Sequence, residues 1–320
     1  MSRKQTIIRG TIILTITGFL SRFMGFFYRI FLSRTFGEEG VGLYQLIFPV
    51  YALCYSLTTA GIETAISRTV ARKISLGRER EAREFLLTGL SLSFFLACIC
   101  MVAMQKNAGF IASEILGDER CVPLLTILSY TVPCSAVHSC ICGYCYGLKQ
   151  TSIPAAAQLI EQSTRIAGVY LLYRVLIRNQ GNAPVTIAVC GLVIGEFFSA
   201  LYTTTILPGF LKGRSITQIL RRRASSGLPA GRAFPSMTAG ILCRRLKELL
   251  PLSVPLTANR VLINLLQSIE AISIPGRLQR FGLDTSQALS LYGVLNGMAL
   301  PCILFPSAVT SSISIMLMPT

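Results

Sequence analysis

Tryptophan is absent from this chain, and histidine occurs once, at position 138. Without Trp, any aromatic belt at a membrane surface must be built from the 11 Tyr and 17 Phe. Charge is scarce as well. Asp, Glu, Lys and Arg make up 14% of the 320 residues, whereas a soluble domain carries about 25%. That deficit points to a lipid-facing surface. Acidic residues are the rarest class, 14 against 30 basic ones, which leaves a net charge of +16. A basic excess can mark a nucleic-acid binder. Here, however, the basic residues sit between long apolar runs rather than on a polar domain, so no nucleic-acid partner is expected. Loops beside anionic membrane lipid are the simpler reading. Also missing are a catalytic triad, a P-loop and a dinucleotide fingerprint, so neither an enzyme nor a cofactor is expected. Nor is the N-terminus a cleavable signal peptide. Its apolar run is too long, is broken by Arg22 and Arg29, and lacks a small-residue cleavage site.

What the chain does have is apolar length. A membrane-spanning helix needs about 20 mostly apolar residues, and eight stretches qualify: 7–33, 43–67, 86–105, 123–147, 153–177, 184–207, 251–274 and 287–313. The expected fold is therefore all-α, a polytopic transmembrane bundle of about eight spans in the cytoplasmic membrane. The first, seventh and eighth stretches are more polar and are expected to face the bundle interior. With the N-terminus in the cytoplasm, cytoplasmic segments hold 19 Lys and Arg and outer loops hold 6. This bias supports that orientation.

The long connection from Pro208 to Leu250 contains Arg221-Arg222-Arg223 and a Ser/Gly/Pro-rich stretch. The Arg triplet reads first as an ordinary positive-inside loop, with lipid or partner binding as the functional alternative. The end of this loop, ILCRRLKELL, reads as an amphipathic helix lying on the membrane.

A faint internal repeat runs through the chain. Phe36-Gly37-Glu38 precedes Leu43-Tyr44 and an apolar span, and Phe281-Gly282-Leu283-Asp284 precedes Leu291-Tyr292 and another. Ser21-Arg22 is matched by Asn259-Arg260. Transporters are often built from two such halves. The expected organisation is a six-helix lobe over 1–210, a basic cytoplasmic loop over 211–250, and the first two helices of a second lobe over 251–320. On that reading the chain is a truncated transporter, stopping at Met318-Pro319-Thr320; chance similarity is the alternative.

The first span holds the sharpest pattern. Thr11, Thr15, Gly18, Arg22, Gly25 and Arg29 recur every three or four residues and form one helical stripe. A charge at the bilayer centre costs roughly 2.5–3.5 kcal/mol even on the most lenient scale. Two arginines on one stripe therefore imply a wet cavity or an anionic partner. The glycines permit close approach, and Arg suits a bidentate grip on phosphate. Snorkelling is the plain alternative, stronger for Arg29 than for Arg22. The fifth span carries Gln158, Glu161, Gln162 and Arg165, with Glu161 four residues before Arg165 in the favourable order for a helical ion pair. A purely structural pair is the competing reading. Arg260, Asn264, Gln267 and Glu270 mark the seventh span, and Glu63 and Glu196 are further acids at membrane depth. For Glu63 and Glu270, near span ends, exposure to water is the default explanation.

The stretch PCSAVHSCICGYCYG offers Cys134, His138, Cys140, Cys142 and Cys145. Zinc sites use such ligands, but these lie in an apolar run without a second C-x-x-C. They are assigned to small-residue packing, with no metal.

These residues also carry a resemblance. GFLSRFMGFFYRIFLSRTFGEEGVGLYQLIFPVY, GIETAISRTVARK, GYCYGLKQTSIPAAAQLIEQSTR and LYGVLNGMALPCILFPSAVTSSIS resemble the stage V sporulation protein B-like group. That group belongs to the oligosaccharide-flippase branch of the multidrug/oligosaccharidyl-lipid/polysaccharide exporter superfamily. The resemblance spans nearly the whole chain. It implies a two-lobed fold of about fourteen helices, of which this chain would lack the last six. It also implies alternating access for a lipid-linked, anionic sugar substrate, in sporulation or envelope polysaccharide synthesis, with membrane lipids as neighbours and a coupling ion as an allowed further partner. The related lipid II flippases grip the head group with first-helix arginines in an S-R-x-x-G context. Arg22 fits that context directly, and Arg29 lies one residue beyond the second arginine. The substrate-binding set expected is Arg22, Arg29, Gly18, Gly25, Glu161, Arg165 and Arg260. A multidrug exporter of the same superfamily is the nearest rival, and an inactive membrane scaffold is the rival from another class.

The charge bias predicts that cysteine labelling from outside reaches positions 110–120 and 276–286 but not 68–85 or 208–250. Labelling of Ser225→Cys in intact cells would reverse the orientation.

Overall fold

The computed structural model describes residues 3–180, 184–211 and 239–303, and all regular structure in them is helical. The Arg triplet and the end at Met318-Pro319-Thr320 lie outside the described residues. Five stretches are long and apolar enough to cross a membrane: Ile12–Ser75, Glu79–Lys106, Cys121–Gly147, Thr186–Gly209 and Arg244–Arg280. The protein is a multi-pass helical bundle.

Helix α1 (Arg3–Leu46) is broken at Gly37, which has φ 71° and ψ −178°. Only glycine takes that conformation without a steric penalty, so the first two expected spans are joined through one residue rather than a loop. Helix α2 (Phe48–Tyr55) carries Pro49 in its first turn, where a missing N–H costs nothing. It runs through a π-helical turn (Ser56–Ala60) into α3 (Gly61–Ser75). Hydroxyls cover carbonyls around this wider turn: Ser56 Oγ donates to the Ala52 carbonyl at 2.7 Å and Thr58 Oγ1 to that of Cys54 at 2.8 Å. Lipid offers no such partners.

Helix α4 (Glu79–Lys106) follows, then the short α5 (Ala108–Phe110), α6 (Cys121–Leu128) and α7 (Thr131–Gly147). The pair α8 (Ser152–Gln180) and α9 (Thr186–Leu211) completes the first six expected spans. With 29 residues α8 is about 44 Å long. Its length suffices to cross; Glu161, Arg165 and Arg174 set it apart from the five more apolar stretches.

Helix α10 (Ala239–Arg280) corrects one expectation. The ILCRRLKELL segment continues directly into the seventh span, making one helix of 42 residues. The ion pairs of Arg245 explain the continuity. Its guanidinium reaches Glu84 at 3.0 Å, and Glu81 and Glu248 at 3.2 Å, and sits over the Phe85 ring at 5.2 Å. These contacts hold the first turns of α10 on α4 instead of leaving them free to lie flat. Helix α11 (Thr285–Tyr292) is capped by Asp284 and Gln287 and leads into a further π-helical turn (Gly293–Ala299).

Two apolar cores close the ends of the bundle. One joins Leu32, Leu46, Met104, Leu125, Val169 and Leu192; the other joins Ile66, Phe85, Ile141, Ile153, Leu207 and Leu249. On α8 and α9, the residues between the two cores include Glu161, Arg165 and Glu196. The described part of 251–303 packs onto the first six spans, α10 against α2, α3 and α4, and α11 with its π turn against α1. Both Gly37 and Gly282 have positive φ, 71° and 106°. The segment after each one meets the other: Gly42 lies on the Leu289 carbonyl, and Gly293 on the backbone of Glu38 and Gly42. Beside this contact, Arg120 donates to Asp118 and Glu39, both at 2.7 Å. Asp118 first, then Glu39, hold that guanidinium above its usual range.

A Cβ at position 42 would enter the Leu289 backbone, which cannot yield as a flexible side chain does. Gly42→Val should therefore destabilise the protein by about 1–3 kcal/mol, read as a lowered melting temperature in detergent. Gly276→Ala, with nothing within 4 Å of its added methyl, should not lower it.

Candidate functional site: a basic cavity and the charged cluster behind it

A cavity of about 570 Å³ lies between α1 and α8. Its first wall is Ser21, Arg22, Gly25, Phe26 and Arg29; the second is Gln158, Gln162 and Arg165. Steps of three and four residues put each set on one helical face, so two polar stripes are turned toward each other. Tyr44, Gln45, Phe48 and Pro301 fill out the lining. Three arginines line the cavity and no carboxylate does.

The expected site residues divide as follows. Arg22, Gly25, Arg29 and Arg165 meet at this cavity. Arg22 is exposed; Arg29 is half-buried and donates to the Asn296 carbonyl at 3.3 Å, tying the first span to the π turn after α11. Gly18 is absent from the lining, and nothing stands within 4 Å of where its Cβ would be. Glu161 reaches the cavity only through Arg165, with which it forms an i,i+4 ion pair. Arg260 is exposed on α10 and is not in the lining. Glu63 itself is not the water-facing acid its span-end position suggested. It is half-buried and accepts a hydrogen bond from Tyr55 at 3.3 Å.

Behind the arginine wall is a cluster whose composition local spacing does not reveal. His138 Nδ1 lies 3.6 Å from Glu196 Oε2, within ion-pair range but too far for a hydrogen bond. Tyr51 donates to Glu196 Oε1 at 3.3 Å. One nitrogen or oxygen each from His138, Glu161 and Glu196 falls within a 4.8 Å group. Arg165 sits beside Glu161 and opposes a divalent ion there. Two buried polar atoms in the cluster have no hydrogen-bond partner, Glu196 Oε2 and Arg165 Nε. In the sequence His138 is surrounded by cysteines, and nothing local sets it beside Glu161 and Glu196. Cys140 and Cys145 instead lie in the apolar core with Phe85 and Leu249. Glu196 stands alone on an apolar helix, and only its depth in the span marked it.

Comparison with known proteins gives a consistent picture. The profile described as "Polysaccharide biosynthesis protein" matches residues 7–320. The chain is 29% identical over 316 residues to stage V sporulation protein B of Bacillus subtilis (strain 168), covering 99% of this chain and 58% of that one. It is 27% identical over 192 residues to lipid II flippase MurJ of the same organism, covering 57% of this chain and 35% of the flippase. Among solved structures, a MOP superfamily transporter from Pyrococcus furiosus matches with a TM-score of 0.62 at 14% identity, over 99% of this chain and 68% of that one. An inward-facing multidrug resistance MATE family transporter matches with a TM-score of 0.53 at 16% identity, over 97% and 62%. These two likenesses concern the fold. The chain spans about three fifths of the length of its sporulation-protein relative.

Removing one member of a buried pair strands the other charge, at a cost of about 3–5 kcal/mol, whereas removing both does not. Glu161→Gln and Arg165→Gln should each lower the melting temperature in detergent more than the double variant does. Additive losses would mean that the pair is not coupled.

Proposed function

Because the chain belongs to the polysaccharide biosynthesis protein family, we propose that it moves a lipid-linked oligosaccharide or cell-wall precursor across the cytoplasmic membrane by alternating access. The observation behind this is the cavity lining, with Arg22, Arg29 and Arg165 converging and no acid among them. Such a lining attracts anions and repels cations. A phosphate or pyrophosphate linked to a lipid matches it, because a guanidinium presents paired N–H donors in the plane of two phosphate oxygens. Gln158 and Gln162 add neutral donors and acceptors suited to a sugar. The likeness to a lipid II flippase supports the same reading. A lining free of carboxylates argues against the rival reading of a cation-binding multidrug exporter. No bond is made or broken in such a cycle. The transporter needs only a site whose access alternates between the two sides.

The test is complementation of a flippase-deficient strain alongside binding of the purified protein to a lipid-pyrophosphate sugar. Arg22→Ala should insert normally, lose complementation, and lower affinity by about tenfold to a hundredfold, the worth of one charge-assisted hydrogen bond of about 1.5–3 kcal/mol. Arg22→Lys should also impair transport, since Lys keeps the charge and loses the planar fork. Leu14→Ala, outside the cavity lining, should be mild. Normal complementation and binding by Arg22→Ala would remove this residue from the mechanism.

A further inference from the structure

Glu161 and Glu196 bring two carboxylates together with His138 inside the bundle, and the Arg165 guanidinium pairs with the first of them. With His138 neutral, this set has one negative charge too many. An uncompensated charge away from water is expensive, and one additional proton balances the set. The geometry says where that proton belongs. Arg165 already pairs with Glu161. His138 faces Glu196 at 3.6 Å, and the buried Glu196 Oε2 has no other partner. A proton there completes a second neutral pair beside the first. A divalent ion on the same groups would instead leave the set with one positive charge in excess.

Helix α7 packs against α2, α3, α4, α6, α8 and α9. Helix α2 brings Tyr51 and Tyr55, α3 brings Glu63, α8 brings Glu161 and Arg165, and α9 brings Glu196. On α7 itself Cys142 contacts His138. Residues 85–105 of α4 and all of α6 contain no charged side chain.

Arg165 has two neighbours of different kinds. It pairs with Glu161 on one side and lines the basic cavity on the other. An anion in the cavity draws on its charge and leaves Glu161 less compensated, so the cluster becomes more negative and holds its proton more tightly. We infer that His138 and Glu196 hold one exchangeable proton whose occupancy is linked, through Glu161 and Arg165, to the presence of an anion in the cavity. This inference rests on the cavity being an anion site. Linkage is reciprocal: protonation tightens anion binding, and the anion promotes protonation by the same factor. At most one proton is taken up per anion, so affinity falls by up to about tenfold per pH unit as pH rises past the cluster's titration.

The solitary histidine makes the test direct, because the imidazole NMR signal of ¹⁵N-histidine-labelled protein, purified on a histidine-free tag, reports His138 alone. At pH 7 the protonated fraction should rise on saturation with farnesyl pyrophosphate. Charge substitutions need no ligand and have opposite signs. Arg165→Gln frees Glu161 and should raise the protonated fraction, whereas Glu161→Gln leaves Arg165 unopposed and should lower it. Glu196→Gln should lower it too, and takes the place of Glu161→Gln beside Arg165→Gln if that variant fails to fold. A purely structural disturbance would not produce opposite signs. Saturation that leaves His138 unchanged, or shifts of one sign in all variants, would overturn the linkage. Failure of the probe to bind at all, judged by calorimetry, would count against the cavity as an anion site, while the charge substitutions would still decide whether His138 responds to Glu161 and Arg165.

Discussion

The structure depends on keeping charge inside a lipid-facing bundle. Glu161 and Arg165 on α8, Glu196 on α9 and His138 on α7 lie between two apolar cores. Each would be costly alone at that depth. Their arrangement makes the interior tolerable and also makes it polar enough to work in. Arg165 pairs with Glu161 behind the cavity wall and presents charge to the cavity in front. Arg22 and Arg29 have no acid in the cavity, so the basic character of the lining is not neutralised locally.

Everything around this centre is made to close on it. Near Gly37 the broken α1 brings Gly42 onto Leu289, and Gly293 returns the contact on Glu38 and Gly42. Near the start of α4, Arg245 draws α10 onto Glu81 and Glu84. Small residues allow the first contact and a nearly buried ion-pair network secures the second. In between, Arg29 spans from α1 to the Asn296 carbonyl. That bond makes one cavity residue a structural tie to the segment after α11, so a substrate competing for Arg29 would also act on that packing.

The cavity and the helical bundle contribute different things to the proposed transporter reading. The fold is shared with multidrug transporters at low identity, so it cannot choose the substrate. The proposed anionic substrate rests instead on three guanidiniums facing one space without a carboxylate among them. The cluster behind them adds a means of sensing occupancy, because one arginine belongs to both groups.

Much of this was legible in the residues themselves. Apolar length pointed to a helical multi-span bundle, in which five stretches of the described residues are long and apolar enough to cross, since only a helix satisfies its own backbone in lipid. The three- and four-residue steps from Thr11 to Arg29 marked one polar stripe, Gln158 to Arg165 marked a second polar group, and the i,i+4 order gave the Glu161–Arg165 pair. The sequence alone could not say which stripes meet, because helix rotation and pairing are decided by packing between segments far apart in the chain. Tertiary structure brought α8 opposite α1, left Gly18 and Arg260 out of the lining, and joined the basic end of the long loop to α10. It alone gathered His138, Glu161 and Glu196 from three helices. Periodicity describes one helix at a time, and a site shared by three has no period.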